Sequence, residues 1–146
     1  MEYNVPMIIS ENHLITRARA VNLEFPYDPC PKIQSRFQAS CYYELGQWWD
    51  KVFDSDYAYM DSLCEKIPGN FQEACFLGLG NVIGPSNNYN VEKVTEKCRL
   101  LRTTSAQEIC LNRASWTFKD SPFEAVGYTV CASLSPDKQK TCLPKP

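Results

Sequence analysis

The chain has 146 residues, a size typical of one domain, and 44% of them are hydrophobic, enough for a continuous core. Its formal net charge of −2 and its pI near 5.4 argue against nucleic acid or an anionic membrane surface as a partner, because both attract basic proteins. No apolar run approaches the roughly 18 residues that a membrane span needs.

The first 29 residues precede any repeated pattern, and we expect them to form an amino-terminal arm. Pro6 disfavours a helical conformation for the residue before it, so the first stretch is predicted to be extended. Ser10 can cap a short helix over residues 14–22, which Pro26 then ends. Such a helix would cover the apolar end of a repeat domain over residues 30–146, whereas the alternative is a loosely ordered tail.

Cysteines recur with a fixed period from residue 30 onward. Four of them follow a glutamine by three residues and are spaced 34, 35 and 32 residues apart: Cys41, Cys75, Cys110 and Cys142, after Gln38, Gln72, Gln107 and Gln139. A second set lies 11, 11, 12 and 11 residues earlier: Cys30, Cys64, Cys98 and Cys131. The third residue after each of these is aliphatic: Ile33, Ile67, Leu101 and Leu134. A period of about 34 indicates a stacked repeat.

Apolar residues at helical spacing predict helices throughout the repeat, with no strand alternation. One row is expected over residues 36–52, 71–83 and 106–118, and an alternating row over 55–66, 90–101 and 122–133. The longest loop is expected over residues 84–88. The expected starts are capping boxes at Ser35/Gln38, Ser105/Glu108 and Ser121/Glu124, and N-caps at Asn70 and Asp137. The predicted fold is therefore all-α, an α-solenoid of antiparallel helical hairpins.

The spacing of the cysteines predicts four local disulfides. Each early cysteine except Cys30 ends one predicted helix and each late cysteine lies in the second turn of the next, so the two face each other across the turn. The predicted pairs are Cys30–Cys41, Cys64–Cys75, Cys98–Cys110 and Cys131–Cys142. Zinc-type and thioredoxin-type cysteine spacings are absent. An even set of cysteines indicates an oxidising compartment, whereas free thiols would indicate a cytosolic repeat.

The helix after each late cysteine resembles the first helix of tetratricopeptide-type repeats. The signature is an aromatic residue, a Leu-Gly pair and a second aromatic residue, found as Tyr42, Leu45, Gly46 and Trp49. The same positions are filled by Phe76, Leu79, Gly80 and Ile83 in the second copy and by Leu111, Ala114, Ser115 and Phe118 in the third, with serine in place of glycine. Ala58 falls where that pattern wants a small residue. The cysteines make the chain look like the cysteine-bridged Sel-one-like repeats of secreted bacterial proteins. The resemblance implies that the small residue lets the second helix approach the first. It also implies peptide or protein binding on a concave face, secretion or periplasmic location, and no catalysis.

If this repeat phase holds, the inner face of the first-helix row is the candidate binding surface. Its residues are Tyr43, Gln47, Asp50, Leu77, Asn81, Asn112, Trp116 and Lys119. Aromatic residues favour such a role because they bury a large area at small entropic cost. Trp48 and Trp49 are expected in the core, Trp116 either there or on the surface, and one of Tyr42 and Tyr43 is expected to be exposed.

No motif for catalysis, metal binding or a cofactor is present, and the only histidine, His13, lies outside the repeat. Asp50, Asp54 and Asp56 are expected to serve helix starts and turns and not a calcium site. We therefore expect a non-catalytic module, without cofactor or metal, that binds a protein or peptide.

Two other functions remain open. In the first, the chain is a structural subunit that stacks on copies of itself through the end where Pro144 stops the last helix. In the second, it is an envelope or glycan-acting enzyme accessory. A secreted, periplasmic or cell-surface location is expected. The start of the chain lacks the features of a signal peptide, so we interpret Met1 either as an added start or as the start of a domain excised from a longer protein.

Overall fold

A computed structural model describes residues 25–146, and these residues form an all-α fold with no strand among them. The predicted arm and capping helix over residues 1–22 lie outside the described residues. The α-helices are α1 (Ser35–Val52), α2 (Tyr57–Glu65), α3 (Gly69–Ser86), α4 (Val91–Arg99), α5 (Thr104–Thr117) and α6 (Pro136–Gln139). Two 3-10 helices span Cys30–Lys32 and Glu124–Cys131. The chain divides into two compact units, Met1–Gly78 and Leu79–Pro146, with the boundary inside α3.

Short polar side chains begin three of the helices, but not those that the capping boxes predict. Backbone N–H groups two or three residues into the helix donate to Asp56 at α2, Asn90 at α4 and Thr103 at α5, at 3.0, 3.0 and 3.1 Å. The capping boxes at Ser35 and Ser105 are wrong, since α1 starts after Gln34 without a side-chain cap and the N-cap of α5 is Thr103, two residues before Ser105. Asn70 and Asp137 are not N-caps either, because both lie within the first turn of a helix.

The predicted loop over residues 84–88 is helical over most of its length. Helix α3 continues to Ser86 with Pro85 inside it. The side-chain amide of Asn87 donates to the carbonyl of Ile83 at 2.8 Å and satisfies an acceptor at the helix end. The turn that follows is short, with positive φ angles at Asn88 and Tyr89.

The helix predicted over residues 122–133 is instead the 3-10 helix Glu124–Cys131. Ser121 accepts a hydrogen bond from the N–H of Phe123 at 3.0 Å, which closes a tight turn and does not cap an α-helix. A Cβ at Gly127 would lie 2.5 Å from Cβ of Phe118 and 2.7 Å from Cδ2 of Leu143. A 3-10 helix is narrower than an α-helix and fits this close packing in the second unit. The packing partners Phe118 and Leu143 lie outside the helix itself, so its local sequence does not predict the contact.

Each unit has its own apolar core. In the first unit Trp48 and Trp49 are each 1% exposed, which confirms their predicted core position. The indole Nε1 of Trp49 donates to the carbonyl of Pro26 at 2.9 Å. Tyr42 is buried and Tyr43 is half-buried. The largest buried side chains of the second unit are Leu79, Ile83, Val94, Leu101, Leu111, Phe118 and Val130.

Glycines on α3 permit close helix packing within each unit. In the first unit a Cβ at Gly78 would collide with the backbone carbonyl of Tyr43. In the second unit a Cβ at Gly80 would lie 2.7 Å from the carbonyl oxygen of Cys110 on α5. At Gly80, the small residue of the second copy of the signature therefore admits α5, the next helix of the same row.

Candidate functional site

Four disulfides each cross the turn between one helical segment and the next, and we call each of these turns a corner. These disulfides are the four pairs that the cysteine spacing predicts. The Cα–Cα distances are 5.5 Å for Cys30–Cys41, 5.6 Å for Cys64–Cys75, 5.5 Å for Cys98–Cys110 and 6.5 Å for Cys131–Cys142. No cysteine is free. Each loop closed is 11 or 12 residues long, which corresponds to about 3 kcal/mol per crosslink in the chain-entropy model. Four disulfides also indicate an oxidising compartment.

The glutamine three residues before each late cysteine spans the corner. Its side-chain amide donates to backbone carbonyls of the preceding helical segment. For Gln72, Gln107 and Gln139 these carbonyls lie at or beyond the end of that segment, and for Gln38 the carbonyl belongs to the first residue of the 3-10 helix Cys30–Lys32. Gln38 donates to Cys30 at 3.0 Å, Gln72 to Glu65 and Ile67 at 3.0 and 3.1 Å, Gln107 to Leu101 at 2.7 Å, and Gln139 to Ala132 and Leu134 at 3.3 and 2.7 Å. Carbonyls at or beyond the end of a helix have no intrahelical partner, so Gln72, Gln107 and Gln139 satisfy acceptors of this kind.

The aliphatic residue of the pattern completes each corner. Ile33, Ile67, Leu101 and Leu134 are all buried, and the last three also provide a carbonyl that the glutamine binds. Each corner therefore combines a disulfide, an amide that crosses the turn and a buried aliphatic side chain. This recurrence explains why the sequence repeats cysteine, aliphatic residue, glutamine and cysteine together.

The predicted binding residues of the first unit are partly covered. Tyr43, Gln47, Asp50 and Leu77 are all half-buried. Asp50 organises the turn after α1, since its carboxylate accepts a hydrogen bond from the hydroxyl of Ser55 at 2.8 Å and its carbonyl accepts from the Ser55 N–H.

In the second unit two predicted asparagines join helices to their neighbours. The side-chain oxygen of Asn81 accepts two hydrogen bonds from the guanidinium group of Arg113, at 2.9 and 3.2 Å. Asn112 donates to the hydroxyl of Thr141. Both asparagines therefore serve helix packing in this structure.

The other two predicted residues of the second unit, Trp116 and Lys119, line one groove of about 530 Å³. Trp116 is half-buried, and its indole Nε1 donates to the carbonyl of Thr141 at 2.8 Å. The ammonium group of Lys119 lies 5.9 Å from the Trp116 ring centroid. Trp116 lies in the last turn of α5 and Lys119 lies two residues beyond its end, so the spacing of three in the sequence was sufficient to place them near each other.

The rest of the groove comes from segments that the sequence did not assign to the binding face. Glu124 and Ala125 of the 3-10 helix form one wall, and residues 143–146 form another. Lys145 extends over the ring of Tyr128, with its ammonium group 5.8 Å from the ring centroid. In the sequence, this wall could have been suspected only from the run Leu143-Pro144-Lys145-Pro146, which is apolar, proline-rich and basic.

Burial changes the pKa of three side chains in the first unit. It raises the pKa of Glu44 and Tyr42, and it is also the main cause of the raised pKa of Tyr27. The neutral Tyr27 hydroxyl donates to the carbonyl of Leu63 at 2.9 Å, so its role is structural.

Residues 25–146 contain no group of three or more histidine, cysteine or acidic side chains that could hold a metal ion. The carboxylate of Asp56 caps α2, in line with the role expected for the acidic cluster. In the same part of the chain no helix has the length and apolar character to cross a membrane.

Comparison with known proteins gives no relative. No protein-family model matches the chain, and neither a curated protein nor a solved structure matches it.

Proposed function

We propose that this chain is a non-catalytic, extracytoplasmic helical module that binds a protein or peptide. The observation that carries the proposal is the groove beside Trp116 and Lys119, two residues of the predicted binding face, in a unit held by two disulfides. A preorganised surface binds at lower entropic cost than a flexible one, and partly exposed tryptophans are favoured anchors.

The four corners also support membership of a cysteine-bridged helical-repeat family of the Sel-one-like type. Each corner repeats the same disulfide, glutamine contact and buried aliphatic residue at the spacing of the cysteine pattern. A solenoid of period about 34 and a secreted or periplasmic location belong to this proposal.

The test is affinity capture from the secreted or envelope fraction of the source organism, followed by mass spectrometry and by measurement with the purified partner. The oxidised protein should bind with a saturable affinity. A reduced and alkylated sample is the control, because loss of the four disulfides should abolish binding. A partner that binds both samples equally would contradict a role for the folded surface.

A second candidate is a structural subunit that associates with its own copies. It is favoured by two exposed apolar side chains, Phe123 immediately before the 3-10 helix Glu124–Cys131 and Val126 within it, which are 47% and 45% exposed. Light scattering over a range of concentrations tests it, because self-association raises the apparent mass with concentration. A mass that stays monomeric throughout would refute this candidate and leave the binding module in place.

A further inference from the structure

We infer that the groove beside Trp116 takes an extended acidic peptide segment that carries an apolar side chain between its carboxylates. This inference rests on the proposed function and specifies its ligand. A volume of about 530 Å³ falls within the range of about 300–1,000 Å³ of ligand sites, so the groove can hold side chains and not a folded domain.

The charge of the groove favours an acidic ligand. Of its titratable side chains, Lys119 and Lys145 are cationic and Glu124 is anionic, whereas the whole chain has a formal charge of −2. Both lysines are exposed, and neither forms an ion pair within residues 25–146. By contrast, Lys138 is already paired with Glu108. The groove therefore presents two exposed lysines without an ion pair in the described part of the chain, and carboxylates complement them.

The walls of the groove favour an apolar side chain between those carboxylates. Nε1 of Trp116 donates its hydrogen bond to the carbonyl of Thr141, so a ligand can contact the indole only through its ring surface. Ala125, Leu143 and Pro144 add aliphatic surface around it. An aromatic or aliphatic side chain packs on such a surface, while the two lysine ammonium groups bind flanking carboxylates.

The experiment is display of random peptides on the oxidised full chain, followed by fluorescence anisotropy with labelled synthetic copies of the selected peptides. We expect peptides that combine Asp or Glu with Leu, Phe or Trp. The double charge reversal Lys119→Glu/Lys145→Glu should raise Kd by about tenfold or more, because two attractive contacts become repulsive. The matched control is Lys66→Glu/Lys93→Glu, which changes net charge equally at exposed lysines outside the groove and should leave Kd unchanged.

Tryptophan emission locates the bound peptide. Trp48 and Trp49 are each 1% exposed, so a change in emission on binding should arise at Trp116 and disappear in Trp116→Phe. Circular dichroism checks that this variant is folded.

Peptides without acidic residues, or a Kd equal in both charge-reversed proteins, would overturn the inference while leaving the binding module in place. Selection of no peptide at all would overturn the inference; the capture experiment then decides whether the binding module fails as well.

Discussion

Replacement of Gln72 tests whether the corner glutamines stabilise the fold. Its amide donates to the carbonyls of Glu65 and Ile67, at 3.0 and 3.1 Å. A hydrogen bond contributes about 0.5–1.5 kcal/mol net, and because Gln72 is half-buried, water can replace part of that. We therefore expect Gln72→Met, which keeps the side-chain length, to lower the free energy of unfolding by about 1–2 kcal/mol.

The substitution Gln72→Glu should cost more at neutral pH. It places a carboxylate against two carbonyl oxygens and the carboxyl-terminal end of α2, where negative charge is unfavourable. The same surroundings raise the pKa of the introduced carboxyl in the folded state above its unfolded value of about 4.3. The loss is therefore complete above the folded pKa and shrinks as the pH falls, because the protonated acid can donate again.

Urea unfolding of the oxidised protein, followed by circular dichroism at pH 7 and pH 4, measures both effects. With a urea slope of about 1 kcal/mol per molar, Gln72→Met should lower the midpoint by about 1–2 M. Gln47→Met and Gln47→Glu are the controls, since Gln47 is also half-buried on a helix but lies outside any corner. We expect the Gln47→Met change to stay within about 0.5 kcal/mol.

Two results would refute this reasoning. One is a loss in Gln72→Met no larger than that in Gln47→Met. The other is a loss in Gln72→Glu that is the same at pH 4 and at pH 7.

The remaining predictions concern the packing, the crosslinks and one carboxyl group, all measured by urea unfolding. Gly80→Ala should lose about 1–2 kcal/mol, because the new Cβ would lie 2.7 Å from a backbone oxygen of α5, whereas Gly69→Ala has nothing within 4 Å and should be neutral or stabilising. Cys64→Ala/Cys75→Ala should lose about 3 kcal/mol, and an unchanged stability would contradict the crosslink. Burial raises the pKa of Glu44, so its charged form destabilises the folded state. Glu44→Gln should therefore stabilise at pH 7 and lose this advantage below about pH 4, and no gain at pH 7 would contradict it.

The sequence was sufficient to predict the helical class and the crosslinks because both depend on short-range spacing. Cysteines 11 or 12 residues apart across a helical turn have few other partners within reach. The 3-10 helix was not predictable, since Ser121 and Pro122 match the start of an α-helix and the conflict arises from packing at Gly127. Local signals do not include a contact between residues that are distant in sequence.

The glutamines show a different limit. Their recurrence was visible, but Gln38 was interpreted as part of a local capping box, whereas it donates backward to the carbonyl of Cys30. The groove likewise was half-predictable. Trp116 and Lys119 lie three residues apart at and just beyond the end of α5, but the walls from residues 124–125 and 143–146 depend on how the second unit folds.

The short span of each crosslink has a consequence for how such a chain can change in length. Every cysteine is joined to a partner within its own corner, so a segment such as residues 64–97 contains one complete pair. Duplication or removal of that segment would change the number of corners by one and would leave no cysteine without a disulfide partner. Gene rearrangement could therefore lengthen or shorten this protein without leaving a cysteine that lacks its partner.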